Sequence, residues 1–187
     1  MSAENSSDAN PPGPGANAAA ASANPAGSQA NPPVLSRTEK VAAINAALAR
    51  YDANFMDVTH TLTAGVYTRT GRVKAGQVII GFKHRARNIF TLYRGSVAVW
   101  DADNGVRVIN APYSEITPPG RQRIGVVLSD IEGANIFETG AKNHEQAEAE
   151  MLFPFSMVDD AGEIIMQMSE KILSENSTKQ KLESLAG

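Results

Sequence analysis

From Leu62 to Glu138 the chain runs as short apolar stretches broken at close, regular spacing by turn residues, with no sustained helical period. Candidate strands fall at 65–70, 78–83, 88–93, 96–101, 106–109, 113–117, 122–128 and 134–138. They are separated by Lys74-Ala75-Gly76, Arg94-Gly95, Asp103-Asn104-Gly105, Pro118-Pro119-Gly120 and Glu132-Gly133. Val97 and Val99 alternate on one side of Asp103-Asn104-Gly105 and Val106 and Val108 on the other, a hairpin signal because that turn needs residues tolerating positive φ. Eight short strands without intervening helices must close into a sandwich or a barrel, so the expected fold is mainly β.

The flanks obey other rules. Residues 1–35 hold 6 of the 10 prolines and 10 alanines with almost nothing large and apolar, so they cannot offset the entropy of ordering and are expected to form a disordered arm. Ser36-Arg37-Thr38-Glu39 is a capping box that opens a helix over 36–56. Val41, Ile44, Leu48, Tyr51 and Phe55 give that helix one apolar stripe, read either as docking on its own domain or as an interface with another subunit. The barrel region is placed at 60–140 and an acidic helical extension at 141–187. In the extension, Met151-Leu152-Phe153-Pro154-Phe155 forms an apolar knot suited to crossing a barrel mouth or to docking elsewhere. Asp159 or Asp160 is expected to cap a last helix striped by Ile164, Ile165, Met168 and Ile172, with the chain fraying beyond Ser174.

Charge excludes some partners. The net charge of −3 divides into −2 over 1–59, +4 over 60–140 and −5 over 141–187. The basic excess in the middle is far below the usual footprint of a nucleic-acid binder, so nucleic acid is an unlikely partner. No apolar run is long enough to span a membrane and the N-terminus does not read as a signal peptide, so a soluble protein with no membrane partner is expected. The absence of cysteine removes disulfide scaffolds, thiolate metal sites and cysteine nucleophiles. Nucleophile elbows, phosphate loops and H-E-x-x-H motifs are also missing.

The run Gly76-Gln77-Val78-Ile79-Ile80-Gly81-Phe82-Lys83-His84, then Asn88-Ile89-Phe90-Thr91-Leu92 and Gly95-Ser96-Val97, is followed by Ala111-Pro112-Tyr113, Pro118-Pro119-Gly120 and Arg123-Ile124-Gly125. Together they resemble the two half-motifs of a cupin, in particular the small cupin-like proteins encoded by tailed bacteriophages. The resemblance covers about residues 62–139 and implies a single cupin-like jelly-roll barrel, here with an N-terminal helix and C-terminal helices. It implies a metal held by H-x-H, a glutamate and a third histidine in the enzymes of that family. Of these only His84 stands in place: Ala86 replaces the second histidine, Asn88 or its neighbours occupy the glutamate position, and Arg123, Gly125 and Val126 follow the Pro-Pro-Gly turn. His60 and His144 lie outside the motif run. No metal and no cofactor are therefore expected.

His84 stands among Lys83, Arg85 and Arg87, cations that disfavour its protonated form. It is read either as a hydrogen-bonded rim residue or as part of an anion site made by His84, Arg85, Arg121 and Arg123. In the first reading Glu115, Asp130 and Glu132 neutralise the arginines. The function expected from the whole sequence is non-enzymatic: a structural or assembly protein, a phage virion component, acting as a homo-oligomer and contacting other virion proteins. The alternative is a metal-dependent or small-molecule-binding cupin of the sugar isomerase, epimerase or dioxygenase type.

Overall fold

The computed structural model describes residues 34–52 and 56–186. Residues 1–33 of the expected arm and Phe55 of the expected interface lie outside them. Ser36 caps α1 (Arg37–Leu48) as its sequence requires. Its hydroxyl accepts from the Glu39 amide at 3.3 Å, and the Glu39 carboxylate accepts from the Ser36 amide at 2.7 Å. The helix ends at Leu48, short of the expected boundary at 56. Tyr51 leaves the axis, accepts the Ile80 amide on its hydroxyl at 2.8 Å, and stacks on Phe155.

The strands are β1 (Asp57–Thr63), β2 (Val66–Val73), β3 (Val78–Ile80), β4 (Asn88–Arg94), β5 (Ser96–Asp101), β6 (Gly105–Asn110), β7 (Tyr113–Thr117), β8 (Ile124–Val127) and β9 (Ile131–Glu138). All pair antiparallel, in a five-stranded sheet ordered β1-β2-β9-β4-β7 and a four-stranded sheet ordered β3-β8-β5-β6. The chain changes sheet at β2–β3, β3–β4, β4–β5, β6–β7, β7–β8 and β8–β9, which is the jelly-roll closure of a cupin-like barrel.

Eight strands fall on expected segments: six have shifted ends, and Ser96–Asp101 and Tyr113–Thr117 agree at both ends. β1 has no counterpart among the expected strands. There Val58, His60 and Leu62 face inward and alternate with Asp57, Thr59, Thr61 and Thr63, a period of two that threonine makes faint. β1 pairs along its length with β2 through Ala64-Gly65, both at positive φ (47° and 78°), as the twist of a two-residue hairpin demands.

Three apolar clusters position the interior. Val73, Leu92, Val97, Val99, Ile109 and Val127 fill the barrel end that holds the β2–β3, β4–β5, β6–β7 and β8–β9 crossings. Tyr67 and Phe137 meet Ala147 and Met151 of α2 (His144–Met151), which plugs the opposite end. The third cluster lies outside the four-stranded sheet, where Ala98, Ile124 and the half-buried Trp100 pack beneath Ile164, Ile165 and Met168 of α3 (Ala161–Ala186). Ile44 and Leu48 of α1 join that cluster, and Arg37 pairs with Glu163 at 2.7 Å. Two expectations for α3 need correction. Asp160 sits at φ 56° and offers its carbonyl, rather than a capping side chain, to the Ile164 amide. The helix also continues past Ser174 to Ala186, because no glycine or proline interrupts the chain between those two residues.

Candidate functional site

Between the two barrel ends the inward faces of both sheets enclose a cavity of about 160 Å3. Alternation along β2 turns Tyr67, Arg69, Gly71 and Val73 inward, and alternation along β7 does the same for Tyr113, Glu115 and Thr117. The deep wall is apolar, with Val73, Ile79, Phe90, Val97 and Val99. The polar lining consists of His84, Arg69, Arg121, Arg123, Thr117 and Asn135.

His84 reaches this position through non-local backbone hydrogen bonds. The Gly120 amide donates to the His84 carbonyl at 2.8 Å, the His84 amide to the Arg121 carbonyl at 3.3 Å, and the Gly81 amide to the Arg123 carbonyl at 2.9 Å. The Pro-Pro-Gly turn is thereby held against residues 81–84 and carries Arg121 and Arg123 with it. On the other side the apolar knot closes over the same segment: Phe153 donates its amide to Lys83 at 2.9 Å, and Leu152 forms a bridge with His84. The knot thus lies across the barrel mouth, one of its two expected placements.

The Asn88 carboxamide nitrogen lies 2.6 Å from His84 Nδ1 and 3.3 Å from the Ala86 carbonyl. As a donor it makes Nδ1 the acceptor, so the proton of a neutral ring sits on Nε2. Burial, reinforced by the charges of Arg123 and Arg69, pushes the His84 imidazole down to about 4. The site therefore presents a neutral imidazole donor beside three guanidinium groups.

Each guanidinium has a carboxylate partner. Arg69 donates to Glu148 at 2.9 Å and Arg121 to Asp103 at 2.9 Å. Glu115 takes a very short bond from Arg123, two from Arg107 at 3.0 and 3.1 Å, and one from the Tyr113 hydroxyl at 3.0 Å. Beneath them Asp101 is fully buried, 3.5 Å from Arg107 and 3.9 Å from Arg123. Burial acts to raise the Asp101 carboxyl, but hydrogen bonds from Asn104 and the charges of Arg121 and Arg107 outweigh it and hold the group below its ordinary range. Burial also lowers the Arg123 guanidinium, against the opposing pull of Glu115. Of the three carboxylates expected to neutralise the arginines at this site, only Glu115 does so. Asp130 pairs with Lys74 at 2.7 Å and Glu132 with Arg72 at 2.9 Å, both outside the cavity.

Three of the four expected anion-site residues, His84, Arg121 and Arg123, line the cavity. Arg85 does not: its guanidinium lies over Phe153, 4.3 Å from the ring centroid, and donates to the Leu152 carbonyl at 2.7 Å, bracing the knot from outside. Arg69, absent from the expected set, takes its place; its inward phase with Tyr67 was the available signal. His60 stands on β1, stacked on His144 at 4.7 Å with Nδ1 2.6 Å from the Tyr67 hydroxyl, away from the His84 lining.

This donor set does not suit the divalent metal that the cupin resemblance implies. One imidazole shares the cavity with three cations, and no carboxylate or second histidine lines it. Among the described residues no three His, Cys, Asp or Glu side chains are grouped to hold a metal. No helix of the described residues is long and apolar enough to cross a membrane.

The depressed imidazole makes stability depend on acid. Between pH 6.5 and about 4 the unfolded chain takes up a proton on His84 that the folded chain refuses, so this contribution is present above pH 6.5 and is lost as pH falls through that window. It amounts to about 3 kcal/mol at most. Urea titrations at several pH values should show wild type losing more stability than His84→Gln over this interval; parallel curves would disprove the assignment.

No known protein-family pattern matches the chain, and no curated protein matches it in sequence. Solved structures of similar shape include an RmlC-like cupin protein with a double-stranded β-helix fold from Methanocaldococcus jannaschii, at 10% identity and TM-score 0.40 over 48% of this chain and 85% of that one. KdgF from Halomonas sp. matches at 14% identity and TM-score 0.41 over 49% and 85% of the two chains. The DMSP lyase DddQ from Ruegeria pomeroyi matches at 11% identity and TM-score 0.43 over 50% and 53%. Likeness at this level transfers no activity to the present chain.

Proposed function

We propose that the barrel is a binding module for a small organic anion with an apolar body, and that it holds this ligand without transforming it. The observation that carries this reading is the convergence of Arg69, Arg121, Arg123 and a neutral His84 on one cavity with an apolar deep wall. A carboxylate can take charge-assisted hydrogen bonds at the polar side while its apolar part fills the deep side. A cavity of about 150 Å3 accepts benzene, so the volume here suits a benzoate-sized ligand. Non-enzymatic action is supported by the engagement of His84 Nδ1 with Asn88, which leaves the ring a donor rather than a base near neutral pH.

Calorimetry with benzoate and its neutral isostere benzamide tests this reading on the full chain. Benzoate should bind at least about 10-fold tighter than benzamide, and Arg69→Gln or His84→Phe should remove that preference while leaving benzamide unchanged. Equal binding of the two compounds, or no heat with benzoate at about 10 mM, would refute it.

The assembly reading, with the chain as a virion component of a tailed phage, rests on the sequence resemblance. Three of the side chains expected at its interface have partners within the chain: Ile44 and Leu48 pack on the α3 cluster, and Tyr51 holds Ile80 and Phe155. The metal-dependent enzyme alternative is not favoured by the cavity's cationic lining.

A further inference from the structure

Each sheet has a face directed away from the barrel, and the chain treats the two differently. The four-stranded sheet lies beneath α3, with α1 packed alongside. The five-stranded sheet instead leaves Ile116 and Ile89 exposed at 64% and 45%. The residues of this outer face are ordered in rows by the strand register. Ile136 on β9, Ile89 on β4 and Ile116 on β7 lie side by side. Two residues along, Ala134, Thr91 and Ser114 form the adjacent row of small side chains. Ala134 is almost completely covered by its neighbours, so this second row is a shallow groove beside an isoleucine ridge.

From this pattern we infer that the outer face of the five-stranded sheet is a self-complementary interface that pairs with a second copy of the same chain. A two-fold axis between the sheets, perpendicular to the strands and midway between the two rows, seats each isoleucine ridge over the partner's groove. The same operation brings Glu138, at one end of β9, over the opposite end of the partner face, where Arg72 and Arg94 flank Glu132. Shape is therefore matched by one symmetry operation, and Glu138 comes to lie above Glu132 with Arg72 and Arg94 on either side, two cations to one carboxylate, as an isologous contact requires.

The area is sufficient. Five strands about 4.8 Å apart and four rows about 6.8 Å apart give about 500–600 Å2 per copy, so the pair buries about 1,000–1,200 Å2, at the threshold of a specific interface.

Sedimentation equilibrium of the full chain from about 1 to about 100 µM tests the inference. Wild type should approach twice the 19.8 kDa chain mass, and Ile116→Glu should weaken pairing by roughly 100-fold. Because Ile116 is exposed, the variant should keep the wild-type circular dichroism spectrum. Glu138→Arg should also weaken pairing, and adding Arg94→Glu should restore it, a rescue specific to the two-fold arrangement. A monomer throughout this range, or a dimer insensitive to Ile116→Glu, would overturn the inference. A dimer lost in Ile44→Asp but not in Ile116→Glu would place the contact on α1 instead.

Discussion

Replacing Glu115 with alanine should cost about 3–5 kcal/mol, measured as a fall in the urea midpoint at an unchanged slope. The side chain is 18% exposed and touches three guanidinium groups that are themselves 13–26% exposed. Its removal strips Arg123 of its hydrogen-bonded carboxylate and leaves Arg107 with Asp101 at 3.5 Å as its remaining counter-ion. The cost arises from cations left desolvated and unpaired, not from any large intrinsic strength of the ion pairs. Glu115→Gln, which keeps the shape and one acceptor, should lose less. A Glu115→Leu/Arg123→Met double variant should recover at least half of the alanine loss, because Arg107 retains Asp101 and Arg121 retains Asp103. A loss below about 1 kcal/mol in Glu115→Ala would mean that water already screens the cluster, contrary to the burial of these groups.

The route from sequence to this site was clearest where local rules act alone. The β5–β6 hairpin follows from valine alternation around Asp103-Asn104-Gly105, and α1 begins at its capping box because both signals are complete within a few residues. Strand phase also specifies which charged side chains face the cavity. Arg69 shares the inward phase of Tyr67, and Glu115 shares that of Tyr113 and Thr117, whereas Glu132 lies on the opposite phase from Gly133 and Asn135. Arg85 was not legible in the same way. Residues 81–87 form no regular strand, so no alternation predicts their directions; they are set by hydrogen bonds to residues 120–123 and 151–153, which are distant in sequence. The naked sheet face was hidden for a related reason: an outward isoleucine shows its significance only once the register places Ile89, Ile116 and Ile136 in one row.

Gly95→Ala should be the most damaging substitution of a single small residue, destabilising by more than about 4 kcal/mol or preventing folding. Gly95 alone carries the chain from β4 in one sheet to β5 in the other, at φ 83°. Three other crossings are tied to the same corner. The Ala111 amide, between β6 and β7, donates to the Gly95 carbonyl at 2.9 Å, and Asp130, between β8 and β9, lies directly against Gly95. Asp130 in turn accepts from Ala75, between β2 and β3, at 3.0 Å. A Cβ on Gly95 would drive into the Asp130 carbonyl oxygen and stand 2.9 Å from its carbon and 3.0 Å from Ile131 Cγ2. Because these neighbours include backbone, relief requires two crossings to separate rather than one side chain to rotate. Gly76→Ala supplies the control: it has nearly the same φ, 82°, with nothing within 4 Å of its added carbon, so it bears only the conformational cost of about 1–2 kcal/mol. The gap between the two variants in chemical denaturation isolates the steric term. Equal losses would show that the crossings can part freely and that the corner does not fix the spacing of the two sheets around the cavity.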